Sequence, residues 1–121
     1  MSRQNISSGS KWEPILGYSR AVRVGPYIHV SGTTSPGATA AEQTRGAIEI
    51  IKAALEKGGA SLGDVVRTRI YVTDISQWEA IGRVHGEYFG AIGPAMAMVE
   101  VSKLIDPSLL IEIEADAYLG G

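Results

Sequence analysis

The sequence predicts an α+β fold in which two helices cover one face of a single sheet of about six strands. Three observations carry that expectation. Pro94 to Ala117 reads as two strands of period two joined by a turn: Ala95, Ala97, Val99 and Val101 alternate with Met96, Met98 and Glu100, then Ile111, Ile113 and Ala115 alternate with Glu112, Glu114 and Asp116. Thr39 to Leu55 repeats small or apolar residues at helical spacing, and so does Trp78 to Tyr88. The order along the chain is strands, helix, strand, helix, strands, with no repeat or linker to divide it. One face of the closing strands is therefore expected to be aliphatic and to lie under the helices. The other is expected to carry the two methionines and a column of acids.

Residues 1–10 are polar and serine-rich, and are expected to form a partly mobile N-terminal segment. Ile15 to Arg23 reads as a strand, Val24-Gly25-Pro26 as a turn, and Tyr27 to Val30 as the return strand of a hairpin that ends in Ser31-Gly32-Thr33-Thr34. Ser35 to Ala38 is a loop. Thr39-Ala40-Ala41-Glu42 has the form of a capping box, in which the hydroxyl and the carboxylate take up the first free amides of a helix. Its buried face is expected at Thr44, Ala47, Ile48, Ile51, Ala54 and Leu55, and Gly58-Gly59 is its stop. Asp64 to Tyr71 is a strand, with Val66, Thr68, Ile70 and Val72 on one face and Arg67, Arg69 and Tyr71 on the other. Ser76-Gln77-Trp78-Glu79 reads as a second capping box, opening a helix with Trp78, Ile81, His85 and Tyr88 along one side. Gly82 and Gly86 weaken that helix by about 1 kcal/mol each relative to alanine. Gly90 and Gly93-Pro94 end it.

Composition narrows the function classes. A chain of 121 residues with 45% hydrophobic and 20% charged residues fits one globular domain with one core, spanning 1–121. The formal net charge of -2, with acids and bases interspersed, lacks the basic stripe of a nucleic-acid-binding surface. The chain has no cysteine, which excludes disulfides, thiol nucleophiles and thiolate metal sites. His29 and His85 are its imidazoles, and neither has metal-ligand spacing around it. No run approaches the roughly 20 apolar residues of a membrane span, and the start lacks the apolar core of a signal peptide. A soluble, cytoplasmic protein is the expectation.

The expected architecture leaves one sheet face bare. Tyrosine and methionine on such a face would make a large apolar patch on a monomer, and a symmetric oligomer is the simplest cover.

Ser31-Gly32 after the early hairpin, the strand VVRTRIYVTDI, the segment PAMAMVEV and the ending IEIEADA occur in that order in the reactive-intermediate deaminase family, which the chain resembles from about Ile15 to Leu119. The family is also called Rid, RidA or YjgF-like, and older usage is endoribonuclease L-PSP. The resemblance implies a chorismate-mutase-like α+β fold and a homotrimer with inward-facing sheets and ligand clefts between subunits. It implies hydrolysis of enamines and imines, such as 2-aminoacrylate, to a 2-keto acid and ammonia, without a cofactor. In active members an arginine holds the substrate carboxylate and a glutamate positions the attacking water. Carried over by position, Tyr18, Ser31 and Gly32 match cleft residues and Glu112 matches the water-positioning glutamate. The arginine falls at Met96, the family cysteine at Met98 and a cleft asparagine at Gly82, and the turn SKLIDPSLL is about one residue longer. Methionine cannot replace the paired charge-assisted hydrogen bonds of a guanidinium.

Two readings stand for several of these residues. Arg69 is either a relocated anion-binding group or the internal partner of Glu100 and Glu112. His85 is a hydrogen-bonded core histidine or a general acid–base, and His29 is structural or at the surface. Met96 and Met98 are expected to fill the inner face. Glu114 and Asp116 read as a solvated or barrel-lining set. At the level of function, an imine hydrolase with altered substrate choice stands beside a non-catalytic ligand-binding trimer and a partner-binding stress or translation-related protein. No basic stripe and no paired histidines support a ribonuclease.

Overall fold

The last strand of the chain is the middle of the fold. A computed structural model describes residues 2–120; Met1 and Gly121 lie outside the described residues. The elements are β1 (Arg3–Ile6), α1 (Trp12–Leu16), β2 (Ala21–Val24), β3 (Tyr27–Thr33), α2 (Ala40–Lys57), β4 (Val65–Val72), α3 (Trp78–Phe89), β5 (Ala95–Glu100) and β6 (Ile111–Tyr118). They form one sheet in the order β1-β2-β3-β6-β4-β5. All neighbouring strands are antiparallel except β4 and β5, which are parallel and joined through α3.

Ile111, Ile113, Ala115 and Ala117 of β6 face the helices and are buried with Ile28 and Val30 of β3, Ile70 and Val72 of β4, Ile48, Ile51 and Leu55 of α2, and Ile81 and Phe89 of α3. Each of the larger side chains among them contributes about 1.5–3 kcal/mol by leaving water. The α+β architecture with both long helices on one sheet face is as expected. No helix among the described residues is long and apolar enough to cross a membrane.

The caps show how local chemistry places the helices. At the start of α2 the Thr39 hydroxyl accepts from Glu42 N–H at 3.1 Å, while the Glu42 carboxylate reaches one residue further back than a capping box requires, to Ala38 N–H at 2.9 Å. At its end Ala60 N–H donates to the Leu55 carbonyl and Gly59 N–H to that of Glu56, with Gly59 at φ +86°, which is a Schellman motif. Gln43 on α2 is fully buried. Its amide donates to the carbonyls of Gly37 and Ser108 and accepts from Leu110 N–H, so one side chain ties the long β5–β6 connection to the helix.

Several expectations need correction. The N-terminal segment is an edge strand: Arg3 to Ile6 pair with Ala21 to Val24, and Ile6 sits in the core. Ile15 to Arg23 is not one strand, because Trp12–Leu16 is helical and Gly17 closes it at φ +77°. The Glu13 carboxylate accepts from Ser8 N–H and the Ser8 hydroxyl, which folds the preceding segment back onto α1. Val66 is exposed and Val65 buried, because a bulge between Val65 and Arg67 inserts one residue opposite β6 and reverses the alternation. The expected box at Ser76 does not form. Asp74 takes both the amide and the hydroxyl of Ser76, a 3-10 turn follows over Ile75–Gln77, and Glu79 is engaged by Arg83.

The faces of β5 are also the reverse of those expected. Its register pairs Met96 with Thr68 and Met98 with Ile70, so the methionines face the helix side and Ala95, Ala97 and Val99 the open side. Met98 packs against the core and Met96 is exposed at the sheet edge.

Truncating Ile113 to alanine at the centre of this core is expected to cost about 2–5 kcal/mol in denaturant unfolding at fixed protein concentration. His85 offers a second check. Its Nε2 lies 2.8 Å from the Thr68 hydroxyl and its ring 4.6 Å from that of Phe89, and burial pushes its pKa below the ordinary 6.5. A depressed imidazole pKa gives stability that is full above the unfolded value and is lost as pH falls through the folded one. Thermal melts should therefore show a decline below about pH 6.5 that His85→Gln flattens.

Candidate functional site

The site begins with one extra residue in β3. Val30 lies opposite Ala115 and Thr33 opposite Ile113, so Ser31 and Gly32 together face the single residue Glu114. This bulge lets Val30 and Thr33, three apart in sequence, both point into the core. It also brings Gly32 against Glu112 of β6. A Cβ at position 32 would lie 2.9 Å from Glu112 Cδ and closer still to Oε2. Any larger residue would have to push that carboxylate aside.

Arg20 closes the other side. Its Nη2 donates to the Gly32 carbonyl at 2.5 Å, and its own carbonyl accepts from Ser31 N–H at 3.0 Å. The Ser31 hydroxyl donates to the Ser19 carbonyl at 2.6 Å. The guanidinium lies 5.9 Å from the centroid of the Tyr18 ring, within the range of a cation–π contact. Tyr18 and Ser31, with Arg3, Asn5 and Glu13, line an adjoining groove of about 550 Å³.

Glu112 is half-buried, and burial pushes its carboxyl pKa up. Glu114 on the same strand pushes it up further, while the Arg20 charge pulls it down. A carboxyl set in this way is closer to the proton affinity of a general base than an exposed glutamate is.

The rest of the open face is a connected polar row. The Tyr71 hydroxyl donates to Glu114 Oε1 at 2.9 Å, Arg69 Nη1 donates to Asp116 Oδ2 at 3.1 Å and lies 3.8 Å from Glu114, and Asp116 Oδ1 is 2.8 Å from His29 Nδ1. Arg69 is thus an internal ion-pair partner, but of Glu114 and Asp116 instead of Glu100 and Glu112. The register sets this, since Arg69 lies opposite Glu114, and Glu100 accepts from Ile75 N–H at the far end of β5. Glu114 and Asp116 are bonded along this face and remain partly exposed.

Of the residues expected at the site, Tyr18, Ser31, Gly32 and Glu112 come together around Arg20. Met96 and Met98 do not join them within one chain, because they lie on the opposite face of the sheet. His85 is enclosed between α3 and β4, away from the open face. Among the described residues no three His, Asp or Glu side chains gather into a group that could hold a metal ion.

Residues 9–119 match the endoribonuclease L-PSP family. The chain belongs to that family. A RutC family protein of Pyrococcus abyssi is 40% identical over 98% of each chain, and one of Pyrococcus horikoshii 39% identical over 88% of this chain and 90% of its own. Among solved structures, a member of the YjgF/YER057c/UK114 family from Mycobacterium tuberculosis is 59% identical and superposes with a TM-score of 0.95 over 97% of this chain and 99% of its own. The YjgF gene product of Escherichia coli is 27% identical, with a TM-score of 0.79 over 94% and 91%. The family resemblance read from the motifs is thereby shown, and so is the YjgF-like fold.

Arg20 is the site residue that sequence reasoning missed. It sits beside Tyr18 in the sequence, in a stretch that reads as strand, and nothing in that pattern shows that its side chain turns toward Gly32.

Two outcomes follow from the crowding and the raised carboxyl. Gly32→Ala should displace Glu112, seen as a shifted Glu112 side-chain resonance. Glu112→Gln should raise the melting temperature at neutral pH. A carboxyl whose folded pKa is raised contributes stability below the ordinary value of 4.5 that is lost as pH rises through the folded one. The gain from glutamine should therefore shrink as the pH is lowered toward 4.5.

Proposed function

We propose that this family member is an enamine or imine hydrolase that releases ammonia, with Glu112 as the group that positions and deprotonates the attacking water. The observation that carries this reading is the half-buried carboxylate lying on Gly32 beside Arg20, with its proton affinity raised. Water adds to the C=N carbon as Glu112 takes its proton, giving a carbinolamine. For a protonated imine, to which an enamine first tautomerises, Glu112 then returns that proton to nitrogen. As the C–N bond breaks the hydroxyl gives its own proton to Glu112, so that ammonia leaves a neutral carbonyl compound. No redox step and no cofactor enter this scheme.

Substrate choice is the second part of the proposal. Met96 stands where the resemblance puts the carboxylate-holding arginine, and a thioether offers no charge-assisted donor. A neutral imine, or one whose acid group lies elsewhere, suits such a cleft better than a 2-imino acid does. The same residue favours a second reading, a ligand-binding protein that turns nothing over.

The third part is assembly as a homotrimer with clefts between subunits. Glu112 and Met96 lie on opposite faces of one sheet, so a cleft holding both must take them from two chains. The open face also leaves Tyr27, Val66, Val99 and Tyr118 exposed around its polar row, an apolar border that a neighbouring sheet would cover.

Ammonia release from freshly generated imines, ranging from 2-aminoacrylate to larger uncharged ones, checks the chemistry. Wild type should accelerate part of the panel, and Glu112→Ala should lose a factor of about a hundred or more. If nothing in the panel is accelerated, the hydrolase reading fails and ligand binding stands. Met96→Arg should shift preference toward carboxylate-bearing imines. Light scattering should give three times the chain mass of 12.8 kDa, and a single chain mass would refute the trimer.

A further inference from the structure

The mechanism above leaves one group of the site unexplained. Arg20 carries five N–H donors, and a single side-chain bond of its guanidinium is formed, to the Gly32 carbonyl. Its Nε–H is buried without any partner among the described residues. Buried donors are nearly always paired, so an orphan at the wall of a candidate site calls for a reason. A purely structural arginine would be expected to spend its donors on several carbonyls, as Arg23 does with those of Gly25 and Gly58.

Arg20 holds the carbonyl of the residue whose missing side chain makes room for Glu112. The bond and the carboxylate therefore meet at one bulged peptide of β3. We propose that Arg20 is a positioning residue for Glu112: it braces the Gly32 peptide on which that carboxylate rests, and it brings a positive charge to that peptide. The proposal rests on the reading of Glu112 as the water-positioning group.

The other groups around Glu112 do not offer this charge. Tyr71 lies opposite it on β4 and gives its hydroxyl to Glu114. Glu114, the next residue on that face of β6, repels it. Arg69 on β4 is committed to Asp116 and Glu114, and His29 of β3 to Asp116. Arg20 is the cation that lowers the proton affinity of Glu112 against its burial and against Glu114. The same guanidinium lies 5.9 Å from the ring of Tyr18, which lines the groove.

The test separates charge from bracing and does not depend on turnover. The Glu112 side-chain carbon is titrated by carbon-13 NMR in wild type, Arg20→Gln and Arg20→Lys. Glutamine can still donate to the Gly32 carbonyl but carries no charge, so its Glu112 midpoint should move upward. Lysine keeps the charge, and its midpoint should stay nearer that of wild type. In the unmutated chain the Arg20 Nε–H resonance should titrate with the same midpoint as Glu112, and Glu112→Gln should abolish that step. An unchanged midpoint in Arg20→Gln, or an Nε–H resonance indifferent to Glu112, overturns the proposal. The second measurement decides the matter if the Arg20 variants do not fold. Where an imine substrate is found, the acid limb of the pH–rate profile should move upward in Arg20→Gln. If no substrate is found, the titration still stands or falls alone, so failure of this inference and failure of the hydrolase reading remain distinct.

Discussion

Everything in this fold depends on the alternation of one strand. β6 lies between β3 and β4, paired on both sides, and so has no edge at which to relax. Its odd positions, Ile111, Ile113, Ala115 and Ala117, are buried under the helices, and its even positions carry three acids to the other face. A slip of one residue in either pairing would push those carboxylates into the core, at a cost no part of the chain could offset. The register of the whole sheet is therefore set where hydrophobic burial and acid solvation agree. The same alternation fixes which surface can hold a functional site, because Glu112 reaches only the open face.

On that frame the chain adds two bulges, with different consequences. The one in β4 turns Val66 outward and keeps Val65 in the core, adjusting where the strand begins. The one in β3 puts Ser31 and Gly32 into the space of one residue. It frees the Gly32 carbonyl to take Arg20 and leaves an open α-carbon beneath Glu112. A regular strand here would place a side chain where the carboxylate now lies. The site is thus made by a local defect in the ladder, held from one side by the central strand and from the other by an arginine just before β2. The N-terminal segment supports it from outside, since Glu13 takes up Ser8 and keeps α1 against the groove that Tyr18 lines.

Much of this was legible in the residues themselves. The α2 helix with its threonine cap and paired glycines, the hairpin at Gly25-Pro26, and the two faces of β6 follow from short-range rules that the structure obeys. The family likeness, carried by Ser31-Gly32, the β4 strand and the closing motif, points to Tyr18, Ser31, Gly32 and Glu112, and these four converge. The misreadings have separate causes. β5 is an edge strand, so its alternation of alanine and methionine carries little contrast in burial, and only its parallel register with β4 decides that Met98 faces the core. Arg3 to Ile6 reads as polar tail because a single isoleucine anchors it. Arg69 was correctly expected among acids, yet which acids it meets depends on a register two strands wide.

Periodicity, capping residues and glycine positions act over a few neighbours, so the sequence alone determined α2 and α3, the β2–β3 turn and the two faces of β6. Where a contact joins residues distant along the chain, the choice belonged to the tertiary structure. Arg20 meets Gly32 because the hairpin and its bulge bring them together; Glu112 shares that place because β6 pairs with β3; and Met96 is turned away because β5 pairs with β4. A side chain's direction on a strand has a period of two, so a single inserted residue or a shifted pairing reverses it. No local pattern records that reversal. Only the completed sheet does.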